Sequence, residues 1–134
     1  MSLENCKIVE LPKIIDVRGN LSYVEEINHV PFHIKRCYWI YDVPGGEKRG
    51  GHSFKQNHEL IIAISGSFNV LLNDGKEHKT FFLNRSSYGL YVPNGIWRQM
   101  NEFSTNSLAL VLASTNYSSS DYIRNFEEFI SLSK

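Results

Sequence analysis

The sequence predicts an all-β domain, a sandwich or small barrel, that ends in a short α-helix. Most of the chain alternates short β-branched and aromatic segments with turn residues, and no helical segment lies between them. Only the last part of the chain has apolar residues three or four positions apart. At 134 residues the chain has the usual length of one domain, which we assign to residues 1–134.

The predicted strands follow one another between turns that contain glycine or proline. The run 36–41 (RCYWIY) is aromatic and β-branched, and the run 59–64 (ELIIAI) is apolar enough to be buried on both faces. Asn73-Asp74-Gly75 predicts a tight hairpin, because these residues tolerate the positive φ angles of its turn. Further strands are predicted at 67–72, 78–83, 88–92 and 108–113.

The segment SSSDYIRNFEEFISL, residues 118–132, predicts the C-terminal helix. Ser118 and Asp121 have the spacing of a capping box, so the helix is expected to begin near Ser118. One face of this helix would carry the apolar residues Ile123, Phe126, Phe129 and Ile130.

Charge and cysteine content exclude several classes of partner. The chain has 14 basic and 14 acidic residues, a formal net charge of zero and no basic block, so neither nucleic acid nor a membrane surface is expected as a partner. Cys6 and Cys37 form no CxxC pair and predict no disulfide framework. The segment MSLENCKIVELPK has no apolar signal-peptide core and no run could span a bilayer, so we expect a cytoplasmic protein.

Two spacing patterns resemble the cupin motifs. The first, G-x5-H-x-H-x4-E-x6-G, is matched by Gly46, His52, Glu59 and Gly66, with Phe54 at the position of the second histidine. The second, with the core P-x-G-x2-H, is matched by Pro93-Asn94-Gly95-Ile96-Trp97-Arg98, with Arg98 in place of the histidine. Together they predict a cupin jelly-roll barrel with a short C-terminal helix.

The departures from these motifs predict that no metal is bound. A cupin metal site needs three or four nitrogen and oxygen donors around one cation. Phe54 supplies no donor, and Arg98 adds a permanent positive charge that repels a cation. His52 and Glu59 leave the set half empty, and His58 is expected to point to the opposite face of the strand from Glu59.

His52 follows a glycine-rich loop that would deliver it to the barrel mouth, where such folds bind ligands. From the residues alone, two interpretations stay open. His52 is either a structural histidine or part of a metal-free pocket for acid–base chemistry.

Seven stretches spread over the chain carry a closer resemblance. They are 15–21 (IDVRGNL), 34–42 (IKRCYWIYD), 49–52 (RGGH), 89–93 (GLYVP), 96–100 (IWRQM), 112–114 (LAS) and 121–124 (DYIR). In these stretches the chain resembles the dTDP-sugar 3,4-ketoisomerases of the WxcM-like, FdtA-type cupin group. The resemblance implies a homodimer that converts dTDP-4-keto-6-deoxyglucose to a dTDP-3-keto-6-deoxyhexose of glucose or galactose configuration. It implies no metal and no nicotinamide cofactor. The products of such enzymes feed the synthesis of 3-amino-3,6-dideoxysugars for surface glycans such as O-antigens and S-layer glycans.

The resemblance also implies roles for individual residues. His52 is expected to be the base that removes the C3 proton, and Tyr38 the group that moves a proton between the two sugar oxygens. Relatives read R-G-x-H-A-H-K where this chain reads RGGHSFK, so Phe54 puts in question any relay that used the second histidine. Glu59 stands where relatives commonly carry glutamine, and either takes part in acid–base chemistry or hydrogen-bonds the base.

Four basic residues are the expected anchors for the diphosphate or the sugar oxygens: Arg18, Arg49, Lys55 and Arg98, with Glu59 beside them in the pocket. Arginine binds phosphate through a planar fork of donors, which favours the three arginines over Lys55. We expect the N-terminal segment through Leu21 to exchange between protomers and to place Arg18 near the partner's site. Two alternatives remain, a dTDP-sugar epimerase and a non-catalytic cupin that binds sugar nucleotides.

Overall fold

Two five-stranded antiparallel sheets pack against each other in the computed structural model, which describes residues 2–134. The strands are β1 (Lys7–Glu10), β2 (Lys13–Ile14), β3 (Leu21–Ser22), β4 (Arg36–Tyr41), β5 (Arg49–Phe54), β6 (Glu59–Ser65), β7 (Phe68–Asn73), β8 (His78–Leu83), β9 (Tyr88–Val92), β10 (Trp97–Asn101), β11 (Leu108–Ala113) and β12 (Tyr122–Ile123). One sheet has the order β1-β9-β6-β11-β4, the other β12-β5-β10-β7-β8, and β2 pairs with β3 in a separate hairpin. The predicted all-β jelly roll is confirmed, as two sheets whose hydrogen bonding does not close into one barrel.

The main core lies between the two sheets. Along β7, Phe68, Val70 and Leu72 are buried and alternate with half-buried residues, as a strand with one face on the core requires. Across the core they face residues of the other sheet such as Ile61 and Val111, which are also fully buried. Burial of these side chains is the main favourable contribution to the stability of the fold.

Strand β6 is buried on both faces, as its uninterrupted apolar run predicts. Ile61 faces the core between the sheets, whereas Leu60 and Ile62 pack against the segment that contains Val30 and Phe32. This segment covers the outer face of the sheet. The first residue of β6, Glu59, is completely buried. A carboxylate in such a position requires hydrogen-bond or ion-pair partners.

The hairpin predicted at Asn73-Asp74-Gly75 joins β7 to β8. Gly75 has a φ angle of 96°, a conformation that glycine adopts without the steric penalty of a Cβ atom. The Asp74 carboxylate accepts hydrogen bonds from the backbone N–H groups of Lys76 and Glu77 and closes the turn.

The C-terminal helix begins later than the capping-box spacing predicts. Helix α1 spans Phe126–Leu132, and Asn125 is its N-cap, with a side chain that accepts a hydrogen bond from the Glu128 N–H. Ser118 makes no side-chain cap hydrogen bond. The prediction of a helix from Ser118 is wrong because the Asp121 carboxylate instead accepts from two backbone N–H groups of the loop after β5. Residues 122–123 are therefore held as β12 against β5. Within residues 2–134, no helix has the length and apolar character needed to cross a membrane.

Candidate active site

The two motif residues His52 and Arg98 lie side by side on neighbouring strands. Strand β5 pairs with β10 so that the Cα atoms of His52 and Arg98 are direct partners. Both side chains line a cavity of about 570 Å³ that also receives residues from β4 and β12. Its complete lining is Arg36, Tyr38, Trp39, Ile40, Lys48, Arg49, Gly50, Gly51, His52, Arg98, Tyr117, Tyr122 and Arg124.

Two aromatic rings pack against the His52 ring. Its centroid lies 4.8 Å from that of Phe54 and 4.9 Å from that of Tyr122, both in edge-to-face geometry. The residue is only 8% exposed, and its Nε2 atom is buried with no hydrogen-bond partner. Burial, reinforced by the positive charges of Arg98 and Arg124, lowers the pKa of His52 to about 3. The imidazole is therefore neutral at neutral pH, with one protonated and one unprotonated ring nitrogen.

Phe54 takes the space beside His52 that a second histidine would occupy. Its ring is buried, lies 4.6 Å from the Tyr122 ring, and has the Arg98 guanidinium carbon 5.6 Å from its centroid. An apolar ring here removes water from His52 and cannot exchange protons with it. Phe54 thus favours the neutral form of His52 and takes no part in a proton relay.

A buried polar group near His52 joins the two sheets, with Tyr38 and Glu59 from one sheet and Arg98 from the other. The Tyr38 hydroxyl on β4 donates a hydrogen bond of 2.6 Å to Glu59 Oε2, and the Arg98 guanidinium forms an ion pair with Glu59 Oε1. Arg98 and Glu59 are 1% and 0% exposed. Burial raises the pKa of Tyr38, so the phenol is neutral.

Asn57 supports this group from behind. Its side-chain N–H donates to Glu59 Oε2 at 3.0 Å, and its Oδ1 accepts from the backbone N–H groups of Ser114 and Thr115. These backbone donors fix the orientation of the amide. Sequence reasoning missed Asn57, because nothing in its surroundings in the sequence points to a partner 57 residues away.

Positive charge is concentrated at the cavity. Arg36 has its guanidinium carbon 5.4 Å from the Tyr38 ring centroid and 5.8 Å from that of Tyr117. Arg124 lies 4.2 Å above the Tyr122 ring. Together with Arg49, Lys48 and Arg98 these side chains surround the cavity, and no acidic residue is among its lining residues. Stacking on aromatic rings pre-orients the guanidinium groups to bind an anion.

Of the residues predicted from the sequence, His52, Tyr38, Arg49, Arg98 and Glu59 meet at this site. Arg49 and Arg98 line the cavity, whereas Glu59 lies behind Tyr38 and Arg98.

Two predicted anchors lie outside the cavity of the single chain. Arg18 lies in the turn between β2 and β3, with its side chain 86% exposed and paired with Asp16. Lys55 lines a separate polar cleft with Asp121 and Thr115. The roles of Arg18 and Lys55 stay predictions.

Several lining residues were not predicted from the sequence: Arg36, Lys48, Trp39, Tyr117, Tyr122 and Arg124. Three of them had a usable signal. Arg36 is two residues before Tyr38 on one strand and shares its face. Tyr122 and Arg124 have the same spacing, but the interpretation of residues 118–132 as one helix concealed their alternation.

His58 points away from the site, as predicted. Its Nδ1 lies 2.7 Å from the Tyr91 hydroxyl, and its ring packs near Phe32 on the outer face of the sheet, whereas Glu59 points inward. Among residues 2–134, no group of three or more His, Cys, Asp and Glu side chains is arranged to hold a metal ion.

Comparison with known protein families shows the family of this chain. The family model described as FdtA, WxcM-like, C-terminal matches residues 4–134. The chain belongs to this FdtA/WxcM-like family. The resemblance predicted from the sequence is thereby confirmed, and the names of individual relatives confirm the predicted enzyme class.

Individual FdtA/WxcM-like relatives match nearly the whole chain. The TDP-4-oxo-6-deoxy-alpha-D-glucose-3,4-oxoisomerase of Aneurinibacillus thermoaerophilus is 40% identical over 127 residues, which are 95% of this chain and 91% of the relative. QdtA, a sugar 3,4-ketoisomerase from Thermoanaerobacterium thermosaccharolyticum solved in complex with TDP, is 37% identical with a TM-score of 0.95, over 98% of this chain and 96% of its own. The WlaRB TDP-quinovose 3,4-ketoisomerase from Campylobacter jejuni is 44% identical with a TM-score of 0.91, over 96% and 98% of the two chains.

Proposed function

We propose that this chain is a 3,4-ketoisomerase that converts dTDP-4-keto-6-deoxyglucose to a dTDP-3-keto-6-deoxyhexose. The observation that carries the proposal is a neutral, unpaired His52 facing a cationic cavity that it shares with Tyr38. Family membership supports the same reaction and the same TDP-linked substrate class. The proposed reaction uses no cofactor.

The cationic lining accounts for binding of the substrate's diphosphate. Arg36 and Arg124 are stacked on tyrosine rings, and Arg49, which precedes Gly50 and Gly51 in the chain, also lines the cavity. Arginine binds phosphate oxygens in pairs through its planar fork. Anchoring the diphosphate at these side chains leaves the inner part of the cavity, between His52 and Tyr38, for the sugar ring.

The chemistry then follows from the positions of two side chains. The ketone at C4 acidifies the C3 proton, which His52 removes to form an enediolate. The resulting imidazolium returns a proton to C4, and a proton moves from O3 to O4 through Tyr38. The ketone is now at C3. Arg98, fixed beside Tyr38 by its ion pair, places a positive charge near the oxygens where negative charge develops.

A coupled assay tests the assignment. The protein is incubated with dTDP-4-keto-6-deoxyglucose, a sugar 3-aminotransferase and glutamate, and the products are separated and identified. A ketoisomerase yields a dTDP-3-amino-3,6-dideoxyhexose. An unchanged ketosugar that nevertheless binds would support the non-catalytic alternative, and a 4-keto sugar with an inverted centre would support the epimerase.

The depressed pKa of His52 predicts an unusual pH profile. The neutral form is the base, and its pKa of about 3 lies well below the ordinary value of 6.5. Hence kcat/KM, which reports the free enzyme, is expected to stay level as the pH falls through 6.5. The bound diphosphate offsets the charge of Arg124, so the acid limb of kcat should lie at higher pH than that of kcat/KM. Initial rates from pH 4.5 to 8 measure both, and an acid limb of kcat/KM centred near 6.5 would contradict this account.

We infer that the enzyme works as a homodimer. Residues 13–22, here called the N-terminal arm, expose Ile14, Ile15, Val17 and Leu21. Strand β4 is one of the two edge strands of its sheet, and it exposes Trp39 and Tyr41. Exposed apolar side chains and a free strand edge are typical of a surface that another chain covers. An arm that crosses to a second copy would carry Arg18 toward the partner's cavity.

Mixing two inactive variants tests this arrangement. His52→Asn removes the base, and Arg18→Ala removes the proposed contribution in trans. If Arg18 acts across the interface, co-refolded mixtures should regain part of the activity, because one site in the mixed dimer keeps both residues. Sedimentation of a stable monomer at micromolar concentration, or mixtures that stay at the level of the two separate variants, would exclude it.

A further inference from the structure

Glu59 has no oxygen left for the substrate. Its Oε2 accepts hydrogen bonds from Tyr38 and Asn57, and its Oε1 pairs with the Arg98 guanidinium. Glu59 is completely buried and does not line the cavity, whereas Tyr38 and Arg98 do. Any influence of Glu59 on the reaction must therefore pass through these two neighbours.

We propose that Glu59 is a positioning residue of the proton shuttle: its carboxylate holds the Tyr38 hydroxyl proton, so that Tyr38 meets the sugar with its oxygen lone pairs. This role rests on the proposed ketoisomerase function. A phenol has one proton to donate, and here that proton is directed at Glu59 over 2.6 Å, the length of a charge-assisted hydrogen bond. The O3 hydroxyl of the sugar can then donate to Tyr38.

The buried surroundings keep Glu59 in its accepting form. Arg98 is permanently charged and nearly inaccessible to water, so it requires a counter-charge, which only an ionised Glu59 supplies in this group. Asn57, locked by the backbone of Ser114 and Thr115, directs an N–H at the same carboxylate. Both contacts stabilise the ionised carboxylate and hold it in place.

The proton transfer balances without a net proton on Glu59. The O–H bond at O3 breaks and one forms at the Tyr38 oxygen, while the original phenolic proton moves along its hydrogen bond to Glu59 Oε2. It then returns to Tyr38, and the proton received from O3 passes on to O4. Tyr38 is neutral and Glu59 is ionised both before and after the transfer. A free phenolate would be buried and would lie next to a carboxylate, so the two protons are expected to move together.

The test separates the C3 step from the oxygen-to-oxygen step. In deuterated solvent, His52 chemistry appears as exchange of the substrate's C3 proton, and completed isomerisation appears as 3-keto product. We expect Glu59→Gln to lower the ratio of product to exchange by about 100-fold, within the range typical of general acid–base groups. Tyr38→Phe should lower it similarly. The double variant should show no further loss, because Glu59 acts through Tyr38.

A second variant keeps the test valid if Glu59→Gln does not fold. Glu59→Asp keeps the charge that Arg98 requires but withdraws the carboxylate by one methylene group from Tyr38. It should lower the same ratio, with a larger change in kcat than in KM. A ratio unchanged in both Glu59 variants, or additive losses in the double variant, would overturn the role of Glu59. Wild-type protein that forms no 3-keto product would instead overturn the proposed function, and this role with it.

Discussion

The His52→Asn variant is expected to lose both turnover and exchange of the substrate's C3 proton with deuterated solvent. Among residues 2–134, His52 is the only histidine that lines the cavity, and its imidazole ring is neutral. Removal of a general base lowers the rate by about 100- to 10,000-fold. Because asparagine preserves much of the side-chain volume, the loss would reflect the missing base and not altered packing. Exchange followed by proton NMR reports the C3 step directly, even when no product accumulates.

Two further variants make this result specific. His58→Asn alters a histidine that precedes β6 in the other sheet, points to its outer face and is hydrogen-bonded to Tyr91; this variant should leave turnover intact. Phe54→His restores the two-histidine pattern of the motif and should stay active, because it leaves His52 in place. Near-normal exchange in His52→Asn would show that another group is the base.

The Arg98→Met variant is expected to lose about 3–5 kcal/mol of unfolding free energy, because it leaves the carboxylate of Glu59 buried without a counter-charge. Both members of this pair are almost completely inaccessible to water. The hydrogen bonds from Tyr38 and Asn57 remain but do not neutralise the charge. Urea unfolding of wild type and variant at pH 7 measures the difference.

The matched control removes both charges. Replacing a buried ion pair by apolar residues of similar volume is often close to neutral, so Arg98→Met combined with Glu59→Leu should recover much of the lost stability. Recovery attributes the loss to the unpaired charge and not to packing. Equal losses in the single and double variants would show that the pair contributes mainly by shape.

Much of the fold could be predicted because its signals are local. The alternation along β7, the apolar run of β6 and the Asn73-Asp74-Gly75 turn each follow from a few adjacent residues. The helix boundary failed for a non-local reason. Asp121 has the correct spacing for a capping box, but its carboxylate binds backbone N–H groups 64 and 65 residues away and holds the next residues as a strand.

Only those site residues that stand at motif positions could be predicted from the cupin spacing. His52, Glu59 and Arg98 stand at motif positions, and their meeting follows from the jelly-roll fold. The hydrogen bond between Tyr38 and Glu59 joins two strands of one sheet that are separated by β11. The spacing of the two residues in the sequence does not predict this contact. The stacking of Arg124 on Tyr122 likewise depends on a strand edge that the sequence does not reveal.

The most direct test of the account is the fate of dTDP-4-keto-6-deoxyglucose in deuterated buffer with the purified protein alone. Proton and carbon NMR follow the position of the ketone and the deuterium at each ring carbon. We predict that the carbonyl moves from C4 to C3 and that no other ring centre is altered. A carbonyl that stays at C4, either in unchanged substrate or with inversion at C3 or C5, would contradict the account.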